Sequence, residues 1–263
     1  MILRGNVTSD YLGMDTGLTV ITPERPSDIP PQCVYLLHGL HGNNGSWADL
    51  TMLPAHARKY NLTIVMPEVA RSFYTDMEYG QKFFSYVADE LPDICERTFA
   101  VAPGRENTAV MGGSMGGNGA LKCALRRPER FGKCAAISSG ALFLRRYIED
   151  LRRTGNLKKA EEQLGPQLVA DFRAILGGDF SVKPEDDIPA LAEQAAKQPE
   201  QAVFYSICGL DDEPYRSENA AFAQLMQSLG FAFTHQEIPG DHHWPFFDAA
   251  LARALEFFFG SGT

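Results

Sequence analysis

One serine in a glycine-rich segment has the surroundings of a nucleophile. Ser114 lies in GGSMG at 112–116, which fits the pattern G-x-S-x-G, with an apolar run before it and an amphipathic segment after it. Such flanks place the serine on a sharp turn between a strand and a helix. The turn brings Gly112 and Gly116 together, and they avoid a collision because they lack a Cβ atom. We therefore expect the Ser114 hydroxyl to project above a sheet as a nucleophile.

A run of acids further along the chain could orient a catalytic base. A serine hydroxyl is a weak nucleophile until a histidine takes its proton, and an acid usually holds that histidine. On this type of turn the chain order is serine, acid, histidine, each on a loop after a strand. Asp211-Asp212-Glu213 directly follows the apolar run 202–209, where the acid is expected. By spacing, Asp211 and Asp212 are equal candidates.

Two adjacent histidines near the carboxyl end are candidates for the base. His242 and His243 follow the predicted strand end at Ile238, in a loop that could reach the serine. Spacing does not separate the two. His235 precedes them in the alternating run FAFTHQEI, which predicts a strand position instead.

Two backbone amides are predicted to stabilise the oxyanion of an attacked carbonyl. One is the N–H of Met115, directly after the serine, and the other is the N–H of Leu40, just after the apolar run 33–39. His38 and His41 have the H-x-x-H spacing of a metal pair, but the glycine between them and the strand-end position favour loop-building roles. The sequence contains no H-E-x-x-H motif and no phosphate-binding glycine loop. We expect neither a metal nor a cofactor.

Short apolar runs alternating with amphipathic stretches must position these residues. Five runs are near-continuously apolar, as is typical of strands buried on both faces: 33–39, 62–67, 107–113, 134–140 and 202–209. The segment around Leu18–Ile21 predicts an antiparallel edge. The alternation predicts an α/β fold with a mostly parallel central sheet and helices on both faces.

Three helices are predicted from apolar residues at three- and four-residue spacing. They cover 81–95, 217–229 and 246–259. Ser217 is the expected N-cap of the second helix, and Gly230 is its expected C′ residue. The last helix is expected to pack under the edge of the sheet.

Residues 141–201 interrupt the predicted alternation of strands and helices. We interpret residues 1–263 as a single domain with a cap or lid insertion at about 141–201, because insertions of this length in compact domains tend to be functional. The basic pairs Arg152-Arg153 and Lys158-Lys159 in this segment are interpreted as solvated helix faces.

The composition narrows the classes of partner. The chain has 263 residues and a net charge of −9, which opposes binding to nucleic acid or to anionic membranes. The five cysteines are odd in number and form no C-x-x-C pair, so we expect buried, reduced thiols. The first twenty residues hold no uninterrupted apolar h-region. These features favour a cytoplasmic protein that acts on a small molecule, and they are compatible with a homo-oligomer.

Four segments resemble a known family. LLHGLHGNNGSW, RSFYTDMEYGQKFFSYVADELP, GGSMGGNGAL and GDHHW are similar to segments of the esterase D and tributyrin-esterase group of α/β-hydrolases, which includes feruloyl and acetyl-xylan esterases. The resemblance covers about 10–258 and is weakest in 141–201. It implies the α/β-hydrolase fold. It also implies that Ser114 is the nucleophile, that His242 is the base in the G-x-H-x-W/Y slot, and that Asp212 is the acid three residues after a glycine.

The resemblance implies a serine carboxylesterase acting on short-chain acyl esters, with acetyl or feruloyl esters of plant-derived carbohydrates as candidate substrates. An acyltransferase or an S-formylglutathione-type thioesterase on the same fold is the alternative. The thioesterase is disfavoured by Asn118, where those enzymes usually have histidine. A non-catalytic binding scaffold is disfavoured by the intact series of serine, acid and histidine.

Overall fold

The computed structural model describes residues 1–24, 29–154 and 162–260. Its centre is an eight-stranded sheet in the order β1-β2-β4-β3-β5-β6-β7-β8. The strands are β1 Ile2–Ser9, β2 Met14–Ile21, β3 Gln32–Leu37, β4 Leu62–Pro67, β5 Thr108–Gly113, β6 Lys133–Ile137, β7 Val203–Gly209 and β8 Phe233–Ile238. Strands β3 to β8 are parallel, while β1 and β2 form an antiparallel edge.

Helices cover both faces of this sheet. They are α1 Ser46–Leu50, α2 Leu53–Lys59, α3 Phe83–Ser85, α4 Leu91–Thr98, α5 Met115–Arg126, α6 Leu144–Arg153, α7 Pro166–Leu176, α8 Ile188–Ala195, α9 Tyr215–Ser228 and α10 Trp244–Phe259. A π-helical turn, Tyr86–Glu90, joins α3 to α4. One apolar core lies between the sheet and α3, α4, α5, α8 and α9, and a second lies between the sheet and α2 and α10.

All five predicted buried strands are present, and so is the predicted antiparallel edge. Strand β1 was not predicted. It is exposed along most of its length, so its sequence lacks the alternation that a half-buried strand shows.

One prediction about the helices was wrong in detail. Helix α9 begins at Tyr215, so Ser217 lies inside the first turn, and its hydroxyl bonds to the Glu213 carboxylate. Gly230 is the C′ residue as predicted, with φ +85°. Helix α10 packs on β6 and β7, the two strands beside the edge strand β8, through the second core, which includes Ile137 and Ile207.

The five cysteines are all free and buried. Burial raises the pKa of the Cys95 and Cys123 thiols to about 12 and that of Cys208 to about 11. The prediction that the cysteines are buried is confirmed for all five.

The segment 141–201 contributes α6, α7, α8 and a 3₁₀ turn at Pro184–Asp186. Arg152 and Arg153 are exposed on α6 as expected, whereas Lys158 and Lys159 lie outside the described residues. Within the described ranges, no helix combines the length and the apolar character needed to cross a membrane.

Candidate active site

Ser114 lies at the junction of β5 and α5 with a backbone conformation that side chains rarely adopt, φ +57° and ψ −119°. A Cβ atom on Gly112 would lie 2.2 Å from the Gly116 carbonyl oxygen, and one on Gly116 would lie 2.2 Å from the Leu37 carbonyl oxygen. The expected collision at this turn is therefore confirmed. Only glycine fits at either position without moving the backbone.

Hydrogen bonds hold this strained turn in place. The Ser114 amide donates to the Ile137 carbonyl at 2.9 Å, and the Ser114 carbonyl accepts bonds from Gly117, Asn118 and Gly140 at 3.0 to 3.2 Å. Strain of this kind persists where the surrounding structure over-determines it. The bonds leave the Ser114 hydroxyl at the carboxyl edge of the sheet, beside the amino end of α5.

The acid and the histidine meet on two neighbouring loops. The Nδ1 atom of His242 lies 2.8 Å from Oδ2 of Asp212. Asp212 is 3% exposed, whereas Asp211 and Glu213 are exposed. His243 is also exposed, and its Nε2 lies 3.7 Å from Oδ2 of Asp241. The geometry thus brings together the pair that the family resemblance implies.

Close packing between the two loops explains this meeting. Asp211 donates its amide to the Gly240 carbonyl at 3.0 Å. A Cβ atom on Gly209 would lie 2.3 Å from that same carbonyl oxygen. The glycine ending β7 therefore lets the acid loop approach the histidine loop.

Two aromatic rings fix the His242 imidazole, and sequence reasoning missed both. Tyr215 stacks on it at 4.4 Å between ring centroids, and Phe247 meets it edge-on at 5.0 Å. The available signal was position along the chain, since Tyr215 follows the acid by three residues and Phe247 follows the histidine by five.

The loop after β3 presents the amide expected in the oxyanion hole. Within the described part of the chain, the N–H groups of Leu40 and Met115 have no hydrogen-bond acceptor. Gly39 lies against Ser114, since a Cβ atom on it would be 3.4 Å from the serine Cβ. Leu40 follows Gly39 and Met115 follows Ser114, so both amides belong to residues next to this contact.

His38 builds this loop, as predicted. It is buried, and its Nε2 accepts the Val69 amide at 3.2 Å, so Nδ1 is free to donate to the Gly39 carbonyl at 2.8 Å. Tyr74 donates its hydroxyl to the His38 carbonyl at 2.9 Å. His41 is exposed. Among residues 1–24, 29–154 and 162–260, no group of three or more His, Cys, Asp or Glu side chains could hold a metal ion.

Two cavities meet at Ser114. The larger has a volume of about 540 Å³ and is bordered by Met115, by Tyr215 and by apolar side chains of α6 and α7. The smaller has a volume of about 220 Å³ and is bordered by His242 and by the indoles of Trp47 and Trp244. Ser114 and Leu40 border both cavities.

Comparison with known proteins identifies the family. The model of the Esterase family, described as "Putative esterase", matches residues 9–258. The chain belongs to this family. It is 28% identical to an acetyl esterase of Caldicellulosiruptor saccharolyticus over 97% of each chain.

Solved structures agree with this assignment. The fluorophosphonate-binding serine hydrolase F (FphF) of Staphylococcus aureus, solved with substrate bound, is 27% identical with a TM-score of 0.83 over 98% of each chain. The S-formylglutathione hydrolase (FrmB) of Staphylococcus aureus is 26% identical with a TM-score of 0.82, also over 98% of each chain. The esterase chain therefore has the α/β-hydrolase fold, as the sequence resemblance implies, and is a serine carboxylesterase.

Proposed function

We propose that Ser114, His242 and Asp212 form the catalytic triad of this carboxylesterase, with the Leu40 and Met115 amides as its oxyanion hole. The observation that best supports the proposal is the 2.8 Å contact between His242 and the buried Asp212 carboxylate, on a loop that shares a cavity with Ser114. An exposed acid would not hold a histidine in one tautomer as firmly, because water would compete for its oxygens.

The triad explains ester cleavage in two steps. Ser114 Oγ attacks the ester carbonyl while His242 Nε2 takes the hydroxyl proton, and His242 then returns that proton to the leaving alcohol. Asp212 orients the imidazole through Nδ1 and stabilises the imidazolium that forms. Water repeats the sequence on the acyl-enzyme, which releases the acid and restores Ser114.

The proposed oxyanion hole consists of the Leu40 and Met115 amides, which have no acceptor within the described residues. As the carbonyl carbon becomes tetrahedral, its oxygen gains negative charge, and donors already in place lower the barrier without reorganisation. The His38 and Tyr74 hydrogen bonds hold the Leu40 loop in position before substrate binds.

For substrate, we propose short-chain acyl esters, with acetyl or feruloyl esters of plant-derived carbohydrates as candidates. The likeness to an acetyl esterase supports the acetyl group. We also propose that residues 1–263 act as one domain with 141–201 as a cap, supported by the α6 and α7 side chains that border the larger cavity. The five buried free thiols support a reducing, cytoplasmic setting.

A thioesterase is the second candidate, supported by the likeness to S-formylglutathione hydrolase. The Asn118 position, where the sequence departs from that group, is buried, and its amide donates to the Gly140 and Ala141 carbonyls at 3.2 Å. The side chain is thus used to hold the start of the 141–201 segment. The ratio of kcat/KM for S-formylglutathione to that for an oxygen ester separates the two candidates, and we expect the oxygen ester to be preferred.

Labelling with a fluorophosphonate followed by mass spectrometry tests the nucleophile. We expect wild-type protein to gain one adduct on Ser114 and Ser114→Ala to gain none. Ser46→Ala is the matched control, because Ser46 borders the same cavity and should leave labelling unchanged. An adduct on Ser114→Ala, or more than a tenth of wild-type esterase activity in that variant, would contradict the proposal.

A further inference from the structure

The two cavities at Ser114 differ in which catalytic groups they border. His242 borders the smaller cavity, together with Trp47 and Trp244. Met115 borders the larger one. Tyr215 also borders the larger cavity and stacks on His242 at 4.4 Å, so its ring separates the imidazole from that space. The imidazole therefore faces the smaller cavity.

Under the proposed function, this asymmetry assigns the two halves of an ester. The tetrahedral carbon bears the serine oxygen, the oxyanion, the leaving oxygen and the acyl chain. The oxyanion must point to the Leu40 and Met115 amides, and the leaving oxygen must come within hydrogen-bond reach of His242 to receive its proton. The leaving alcohol then extends into the smaller cavity, and the remaining direction for the acyl chain is the larger one.

The walls of the larger cavity suit an apolar acyl group. Leu168 and Phe172 reach it from α7, and Phe143 reaches it from the residue before α6. Phe73, from the loop after β4, borders it too, and its ring lies 4.9 Å from that of Phe172. An apolar wall this large would remain in contact with water if the acyl group were only acetyl.

A half-buried carboxylate adds a charge criterion. Glu218 borders the same cavity, and its carboxylate accepts the Phe143 amide at 3.1 Å. An acyl group with its own carboxylate would be repelled there, since two like charges in a partly buried space cannot both be well solvated. The acyl group that fits is uncharged.

We infer that this esterase binds the acyl chain in the larger cavity and the alcohol in the smaller. Of the candidate acyl groups proposed above, it then prefers the larger ones, which are uncharged, apolar and of about six carbons or more, as feruloyl is, and acetyl is the poorer substrate. This inference rests on the proposed triad and names the substrate class of that same site. At roughly 30 Å³ for each water-sized group, a cavity of about 540 Å³ exceeds the needs of a two-carbon acyl group. The 141–201 segment then selects the acyl group, because its side chains form much of the wall.

A series of 4-nitrophenyl esters with a constant leaving group tests the acyl side. Each buried methylene contributes about 0.8 kcal/mol, so kcat/KM should rise about fourfold per methylene from acetate to about hexanoate. The 4-nitrophenyl monoester of adipic acid, which has six carbons and a terminal carboxylate, should react at least tenfold more slowly than hexanoate.

Two variants separate the cavities. Leu168→Trp adds bulk to the larger one, and we expect it to lower kcat/KM for octanoate at least tenfold while acetate stays within about twofold. Leu50→Trp is the matched control, because Leu50 borders the smaller cavity. It should lower the rates of all the 4-nitrophenyl esters by a similar factor, so that the ratio of octanoate to acetate stays the same. It should also lower the rates of hexanoate esters of larger alcohols relative to methyl hexanoate. Leu144→Trp, on another helix bordering the larger cavity, repeats the first test if Leu168→Trp does not fold.

The outcomes are distinct from those that test the triad. Two results would overturn the cavity assignment while leaving fluorophosphonate labelling of Ser114 intact. One is that acetate is the best substrate. The other is that the preference among acyl chains changes in Leu50→Trp and not in Leu168→Trp or Leu144→Trp. Loss of labelling and of all ester hydrolysis in the wild type overturns the proposed function, and this inference with it.

Discussion

The carboxyl edge of the sheet and the 141–201 segment are held in place by different means. At the edge, glycines in van der Waals contact with neighbouring backbone and several backbone hydrogen bonds position Ser114. The 141–201 segment is held mainly by side chains. Apolar residues of its helices, among them Ile148, Phe172 and Leu191, pack into the first core, and a small number of polar contacts join it to the rest of the molecule. These include Arg71 with Asp171 at 2.7 Å, Lys122 with Asp186 at 3.3 Å, and the Glu218 carboxylate with the Phe143 amide.

The difference follows from what each region must do. A proton transfer between Ser114 and His242 allows the two side chains to be displaced by well under 1 Å. Such precise placement requires contacts between backbone segments. A cavity wall for an acyl chain needs only the right volume and polarity, and side chains on amphipathic helices supply those. Variants in the two regions should therefore fail in different ways.

The largest expected effects are on turnover at the edge. In another serine hydrolase, loss of the base costs about 10⁶-fold in kcat and loss of the acid about 10⁴-fold. We expect His242→Ala to follow the first value and Asp212→Asn the second, with melting temperatures close to wild type. Stopped and continuous assays with an activated ester cover this range. Equal losses in the two variants would show that Asp212 does more than orient the imidazole.

Replacing one glycine in each region with alanine should change the stability of the protein by different amounts. In Gly112→Ala the new Cβ would lie 2.2 Å from the Gly116 carbonyl oxygen, whereas in Gly178→Ala, within the 141–201 segment, nothing lies within 4 Å. We expect Gly112→Ala to lose about 3 kcal/mol or more of unfolding free energy, and Gly178→Ala to change by less than about 0.5 kcal/mol. Urea denaturation measures both, and a tolerated Gly112→Ala would contradict the packing account of the edge.

The buried Lys122 ammonium links the two regions, and its removal should have an intermediate effect. Its Nζ donates to the Phe73 carbonyl at 3.1 Å and to Thr75 Oγ1 at 2.7 Å, besides pairing with Asp186. Lys122→Met would leave Asp186 with Arg126 at 3.9 Å as a weaker partner. We expect a loss of about 3 kcal/mol of unfolding free energy.

A double-mutant cycle checks that this loss belongs to the ion pair. Adding Asp186→Leu to Lys122→Met removes the unpaired carboxylate and should recover part of the stability. Simple addition of the two single losses would mean that Lys122 acts through its Phe73 and Thr75 contacts alone.

The smallest expected effect is a pH dependence at Glu218. Burial raises the pKa of this carboxyl, against the opposing effect of the Leu142 and Phe143 amides. A raised pKa in the folded state means a contribution to stability that is present below the unfolded pKa, near 4.3, and lost as pH rises through the folded value. Glu218→Gln does not titrate. The unfolding free energy of Glu218→Gln should therefore increase relative to that of wild type between pH 4 and pH 7. An increase of the wild-type value relative to the variant would show that the pKa of Glu218 is lowered and not raised.

The edge was largely predictable from sequence because its requirements are local. G-x-S-x-G specifies a turn that only glycine permits, and a buried strand must precede it. The choice of Asp212 over Asp211 was not available from spacing. It depends on which side chain turns inward after β7, and the close approach of Gly209 to Gly240 determines that turn.

Other parts could not be predicted because the hydrophobic periodicity of their sequences does not reveal their structure. Strand β1 exposes both faces and is held by pairing with β2. The π-helical turn at Tyr86–Glu90 lies within a regular apolar stripe, so the pattern gives no sign of it. The cavity wall built by α6 and α7 requires distant segments to converge on Phe73, which only the tertiary structure specifies.

The buried cysteines provide a way to observe motion in this framework. Cys33, Cys95, Cys123, Cys134 and Cys208 lie in β3, α4, α5, β6 and β7 respectively, and all are shielded from solvent. An alkylating reagent can reach each thiol only when its own element opens. Following the modification of each cysteine over time by peptide mapping would therefore rank the elements around the nucleophile by their frequency of opening, with no foreign label introduced.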